Sequence, residues 1–377
     1  MPSLRPEVDP DGLLEYSVVY TDRSLNHMSK RFQQAMRDIS ATLKEVYSAR
    51  SAIVVPGSGS FGMEAVARQF VQGQKVTIVR NGWFSYRWSQ ILEMGRMTTA
   101  DAIEVHKARR ISDAPQSAFA PAPIEEVVAG IAAQKPGVVF APHVETASGM
   151  MLPEGYIRAL ADAVHAVGGL MVLDCVASGA IWINMQALGV DVLISAPQKG
   201  WSGSPCAGLV MLSTAARERI DATNSDSFSC DLKKWLNIME TYESGAHAYH
   251  ATLPTDSLLM LRDAMNEMRE LGFEAACEAQ FELGDKVRAL LAERGIASVA
   301  AAGFAAPGVI VSHTTREDWH KGAAFAAQGL QIAAGVPLAC DEGPDYKSFR
   351  LGLFGLDKLK DVDAAVARLR KALEAMK

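Results

Sequence analysis

Cysteine is scarce in this chain, with five residues in 377. They stand at positions 175, 206, 230, 277 and 340, scattered and without the close pairs of a metal-ligand set. That argues against a disulfide framework and a zinc module, and for free thiols in a reducing cytoplasm. Long apolar runs are also missing. The most apolar stretch, residues 168–183, is interrupted by Asp174 and is too short to span a bilayer. The opening MPSLRPEVDPDG has no apolar core segment and does not read as a signal peptide. Basic runs are lacking, and the net charge is −6. Neither nucleic acid nor an anionic membrane is therefore expected as a partner. No internal repeat or low-complexity segment stands out.

What is present is an ordinary globular composition, 49% apolar and 21% charged, in a chain long enough for two cores. Leu25, Met28, Phe32, Met36, Ile39, Leu43 and Val46 recur at steps of three and four, predicting a helix over 25–46 capped by Ser24. Downstream, SAIVV, KVTIV, GVVFA, GLMVLD and DVLISA read as buried strands. Helical patterns at 63–71, 85–94, 122–134 and 154–167 lie between them. Such alternation predicts an α/β domain, a mainly parallel sheet with helices on both faces. The character changes near residue 255. A helical region over 256–294, the strand GVIVSH, a helix near 316–328, FRLGLF and a helix from about 358 predict a smaller α+β domain. The expected division is an N-terminal arm at 1–23, a large domain at 24–255 and a small C-terminal domain at 256–377.

The loop VVPGSGSFGMEA, residues 54–65, carries Gly57, Gly59 and Gly62 at the spacing of a dinucleotide fingerprint. Glycines at a helix start present backbone N–H groups to any phosphate. The dinucleotide reading further requires a carboxylate about 20 residues on, at the end of the next strand. That strand ends in Arg80-Asn81-Gly82 instead, where only Arg80 offers a partner for a 2′-phosphate. Two more polar features follow expected strands, Asp174 after GLMVL and Gln198-Lys199 after DVLISAP. Ligands of open α/β sheets sit at those carboxyl ends. A phosphate cradle, a carboxylate and a lysine would share one crevice. These are the parts pyridoxal 5′-phosphate requires: a lysine for its Schiff base, a carboxylate for its pyridine nitrogen and an anion site for its phosphate.

The segment LDCVASGA…DVLISAPQKGWSGSPCAGLVML resembles the class V aminotransferases of fold type I, and most of all their alanine–glyoxylate or serine–pyruvate branch. GSGSFGMEA, NGWFSYRW, HVETASGM, YHATLPT and FRLGLFG match in order, over roughly residues 24–375. The resemblance implies a large cofactor-binding domain, a small C-terminal domain and a cytoplasmic homodimer acting on small amino and oxo acids. It makes Lys199 the lysine that carries the cofactor and moves the proton. Asp174 would pair with the pyridinium. Ser58, Gly59, Ser60 and Gln198 would hold the phosphate. Phe84 would lie over the ring, with Trp83 as the alternative. Thr146 would bond the phenolic oxygen, with Ser148 as the alternative, and Val176 would pack on the opposite face. Tyr249 and Thr252 would reach the phosphate of the neighbouring subunit. Arg350 would clamp the substrate carboxylate, its plainer reading being a structural ion pair.

The chain departs from that branch at its start. Where the family has a Gly/Pro-rich segment entering the site, DPDGLLEYSVVYTDRSLNHMS brings Tyr16, Ser17 and Tyr20, which leaves the amino donor open. Three rival functions stand beside this one; a non-catalytic cofactor-binding or regulatory protein would leave the full catalytic set unused and lacks a basic patch. A cysteine desulfurase or lyase would use Cys340 as a mobile nucleophile, but such enzymes carry His where Gln198 and Phe84 stand here. An NAD(P)-dependent dehydrogenase would leave Lys199, Asp174 and Arg350 unexplained.

Overall fold

The computed structural model describes residues 7–376, so the first six residues of the expected arm and Lys377 lie outside the described residues. The first long helix, α1 (Lys30–Tyr47), starts five residues later than its apolar pattern suggests. Ser29 caps it, its hydroxyl accepting from the Phe32 N–H at 3.1 Å. Ser24 is not the cap, because the chain before Ser29 makes other bonds. The Asn26 side chain accepts from Met28 N, and Asp256 accepts from Leu25 N, both at 2.9 Å.

From there the chain alternates: β1 (Ser51–Pro56), α2 (Gly59–Phe70), β2 (Val76–Arg80), α3 (Trp83–Gly95), β3 (Ile103–Lys107), α4 (Ile124–Gln134), β4 (Val138–Pro142), α5 (Glu154–Ala166), β5 (Leu170–Asp174), β6 (Val192–Ser195) and β7 (Ala207–Leu212). These strands form one seven-stranded sheet in the order β1-β7-β6-β5-β4-β2-β3. Its pairs are parallel except at β7, which runs antiparallel to both β1 and β6. The inner strands β2, β4, β5 and β6 are buried along their whole length, which is why they read as unbroken apolar runs.

Helix α6 (Leu232–Glu243) packs on the β1 side of this layer. The helical region expected over 256–294 is two helices, α7 (Thr255–Leu271) and α8 (Phe273–Ala292). Gly272 separates them with φ +93°, a conformation that residues bearing a Cβ rarely adopt. The helix expected near 316–328 is likewise two short turns, Glu317–His320 and Ala323–Ala326, split by Gly322 at φ +79°. Then β8 (Val309–His313) pairs antiparallel with β9 (Ser348–Gly352), which also pairs with the short strand Ala333–Ala334. Helix α9 (Val362–Ala375) closes the chain and packs on α8.

The largest apolar cluster fills the space between the seven-stranded sheet and its helices and runs on into α7 at Leu258, Leu261 and Met265. A second cluster joins α8, α9, β8 and β9 around Phe325 and Phe349. A third, smaller one lies where the two sheets approach, with Val144, Ala147, Val309, Val311 and Cys340. Among the described residues no helix is long and apolar enough to cross a membrane.

Candidate active site

A cavity of about 190 Å³ opens at the carboxyl ends of β1, β4, β5 and β6. Each wall is set by local structure. Helix α2 begins at Gly59, so Gly59 and Ser60 occupy its first turn, where N–H groups have no intrahelical carbonyl to reach. Ser58 occupies the N-cap position, yet its side chain makes no capping bond, so the hydroxyl is not used on its own helix. Gly59 is required by contact. A Cβ there would meet Val176 Cγ2 at 2.9 Å. The connection between β6 and β7 brings Gln198 and Lys199 to the opposite wall. Phe84, Thr146, Asp174 and Val176 complete the lining among the expected residues.

Asp174 ends β5, buried, and the bond that defines its position is Val176 N–H to Oδ1 at 2.9 Å. Burial pushes its carboxyl up to about 6, opposed by that bond and by the charges of Arg87 and Lys199. Lys199 is shifted down, first by burial and then by the like charge of Arg350. Its Nζ stands 5.1 Å from the centre of the Phe354 ring. His143, beside Asp174 through a backbone bond, shares a 2.7 Å bond between Nδ1 and Ser178 Oγ. Burial alone brings it down to about 4, so it is a neutral imidazole.

The two alternatives left open in the sequence separate here. Phe84 lines the cavity, while Trp83 is not in the lining and packs against Tyr86. Thr146 lines it, while Ser148 is buried with its hydroxyl unpartnered away from the wall. Arg350 is not part of the lining but stands next to it, 5.5 Å from the Phe84 ring centre, with Nε donating to Ala334 O at 2.8 Å. Tyr249 and Thr252 are not brought to the cavity of their own chain. Both are exposed, and their hydroxyls bond each other at 3.1 Å.

Two residues at this site escaped the sequence reading. Arg87 lines the cavity one helical turn beyond Phe84, donating to Ser60 Oγ at 3.0 Å. Glu145 is wholly buried and accepts from Phe84 N, Ser85 N, Ser85 Oγ and Ala147 N at 2.6–3.1 Å. Its carboxylate thereby fixes the start of α3, which carries Phe84, and the turn that carries Thr146. The signal was available for Arg87, since residues three apart share a helix face.

The rivals meet specific obstacles. Cys340 is buried, and its thiol donates to Arg80 O at 3.3 Å. Burial pushes that thiol up to about 12, which disfavours the thiolate a nucleophile needs. Arg80, the dinucleotide reading's substitute for a carboxylate, is committed to Ser89 Oγ at 2.7 Å and to the Tyr86 ring at 4.6 Å. The strand before the glycine loop, moreover, pairs antiparallel at the edge of the sheet.

The fold is that of the pyridoxal-phosphate-dependent aminotransferases of fold type I. An aspartate aminotransferase of subgroup IV from Thermus thermophilus superposes with a TM-score of 0.75 at 23% identity, over 94% of each chain. The family model for class V aminotransferases matches residues 11–342, and the chain belongs to that family. It is an aminotransferase. Alanine–glyoxylate aminotransferase of Callithrix jacchus is 26% identical over 93% of this chain and 82% of its own length. The 2-aminoethylphosphonate–pyruvate transaminase of Pseudomonas aeruginosa is 25% identical over 86% and 83%.

Proposed function

We propose that this enzyme uses pyridoxal 5′-phosphate to move the amino group of a small L-amino acid to a 2-oxo acid such as glyoxylate or pyruvate. The observation that carries the reading is one cavity walled by Lys199, Asp174, the uncommitted Ser58 hydroxyl and the first turn of α2 at Gly59 and Ser60. Those residues fit the cofactor. The Gln198 Oε1, next to Lys199 in the lining, is buried without a partner, and Gly59 leaves room a side chain would fill. When bound, pyridoxal phosphate supplies the electron sink that makes an amino acid's Cα–H acidic.

The chain's own residues do the rest. Lys199 Nζ, its charged form disfavoured by burial and by Arg350, would give and take the proton at Cα. Asp174 would pair with the pyridine nitrogen. A cation there would draw its raised carboxyl back to the ionised form. Phe84 and Val176 would bound the ring's two faces, and Thr146 would bond its phenolic oxygen. Arg350, held in plane through Nε, would present its remaining N–H groups to the α-carboxylate. We propose a homodimer in which Tyr249 and Thr252 complete the partner's phosphate site, which accounts for a tyrosine 53% exposed. The division at residues 23 and 255 and a cytoplasmic setting belong to the same reading, and the five unbridged cysteines support the latter.

The test is a pair of half-reactions. The purified protein should be yellow, bleach with an α-amino acid and regain its colour with an oxo acid. A panel of each identifies donor and acceptor. Arg350→Lys should raise KM for both partners by about tenfold to a hundredfold, from roughly 1.5–3 kcal/mol of lost charge-assisted bonding. A decarboxylated amine should react poorly with the parent enzyme. Equal affinity for amine and amino acid would remove the carboxylate clamp.

A further inference from the structure

A phosphate dianion needs charge as well as hydrogen bonds. The cradle expected to receive it, Ser58, Gly59, Ser60 and Gln198, is neutral. The start of α2 contributes roughly half a positive charge. Lys199 is committed to carrying the cofactor, and Arg350 stands outside the lining. Among the described residues, Arg87 is the one further cation on the cavity wall.

Its placement is specific. The Nη1 of Arg87 donates to Ser60 Oγ at 3.0 Å, and its guanidinium carbon stacks 4.5 Å from the centre of the Phe84 ring. The ring and the serine fix the guanidinium from two sides. A hydroxyl that accepts from a guanidinium keeps its own proton to donate, and the neighbouring cation makes that proton a stronger donor. Ser60 stands in the first turn of α2, so its O–H and the free N–H groups serve the same anion.

We propose that Arg87 is the cation that balances the cofactor's phosphate, acting by its charge and by strengthening the Ser60 hydroxyl as a donor. The assignment rests on the pyridoxal phosphate reading above. It gives Arg87 a role distinct from that of Arg350: one arginine holds the cofactor's anion, the other the substrate's.

The experiment compares two probes that differ only in the phosphate. Cofactor-free protein is titrated with pyridoxal 5′-phosphate and with pyridoxal, following absorbance. The parent should bind the phosphorylated form far more tightly. Arg87→Gln should lower that preference by about tenfold to a hundredfold, the range for a lost charge-assisted bond, while pyridoxal affinity stays within about twofold. Arg87→Lys should recover part of the preference, and Ser60→Ala should lower it by less than Arg87→Gln. Inorganic phosphate should compete with the cofactor in the parent and compete more weakly in Arg87→Gln. Unchanged pyridoxal binding certifies that the variant's pocket is intact. An undiminished phosphate preference in Arg87→Gln with a raised KM for the amino acid would overturn the proposal and turn Arg87 toward the substrate. Equal loss of both probes would make it structural. A parent that binds neither probe would instead overturn the cofactor reading itself.

Discussion

Asp174 and Asp191 are both buried carboxylates on neighbouring strands, at opposite ends of the sheet. Asp191, at the amino end of β6, is fully engaged. It accepts from His165 Nε2 at 2.7 Å, from Met171 N at 2.8 Å and from Ser213 Oγ at 3.0 Å. Asp174, at the carboxyl end of β5, has one backbone donor at 2.9 Å, and burial holds its carboxyl at about 6. Equal burial with unequal satisfaction separates a carboxylate bonded into the fold from one with acceptor capacity left over at the cavity. A buried polar group left short of partners costs stability, and here that cost accompanies an open cavity.

Lys199→Ala should be the most damaging change to chemistry and among the least damaging to the fold. Loss of turnover on the order of a thousandfold or more corresponds to about 4 kcal/mol of barrier. The cofactor would still bind without its covalent link. Turnover near the parent rate would remove Lys199 from the mechanism.

Asp174→Asn should lower the half-reaction rate on the order of a hundredfold, roughly 3 kcal/mol of barrier. Stability of the cofactor-free protein should move the other way. The folded carboxyl is raised from its ordinary 3.8 to about 6, so the folded state binds the extra proton. Its favourable contribution is complete below pH about 4 and is lost as pH rises through about 6. Denaturant unfolding at pH 5 and pH 8 should therefore show the Asn variant gaining on the parent at pH 8, by on the order of 1–3 kcal/mol. A parent that gains on the variant between those pH values would show that Asp174 is satisfied in a way its single bond does not reveal.

Asp191→Asn sharpens the contrast from the other end. It gives up the charge-assisted bond to His165 and one acceptor shared with Met171. Stability should fall by about 1–3 kcal/mol, while activity per folded molecule stays within about twofold. Rate loss without stability loss would erase the distinction between the two ends.

The same distinction explains what the sequence could tell. The inner strands were legible because full burial forces unbroken apolar runs, and Asp174 was conspicuous because it interrupts one. Strand β7 is just as apolar, but its reversed direction depends on the connection that carries Lys199, and apolar pattern carries no direction. Ser24 and Ser29 compete as caps by chemistry alone. The Asp256 bond to Leu25, made across 231 positions, helps decide for Ser29. Gly272 and Gly322 stop helices at positive φ, where composition shows only a weak helix former. The sequence alone does not mark Arg87, because an arginine on a helix is ordinarily solvated. Its use depends on α3 and the start of α2 lying side by side. Glu145 was illegible for the same reason, since its donors Phe84 and Ser85 come from α3.

The smallest expected effect belongs to Cys340→Ser, and it tests whether satisfaction or mere position marks a functional group. Cys340 lies near the carboxyl end of β2, where its thiol donates to the carbonyl of Arg80, so by position alone it qualifies as a nucleophile. By satisfaction it does not. The sulfur is buried among Val144, Ala147, Val309 and Leu338, and its proton is held far above neutral pH by that burial. A serine hydroxyl keeps the hydrogen bond and loses only the fit of a larger, less polar atom. Stability should fall by about 1 kcal/mol, near the low end for placing a hydroxyl in an apolar setting. Transamination rates should remain within about twofold. The parent should release no sulfide from cysteine, and its native thiol at this position should resist alkylation that the unfolded chain accepts. Sulfide release abolished by Cys340→Ser would establish a thiol chemistry and break the comparison, because a fully partnered group would then be the reactive one. Unchanged transamination with an inert thiol would leave Asp174, the poorly partnered carboxylate on the same side of the sheet, as the kind of group that marks the site.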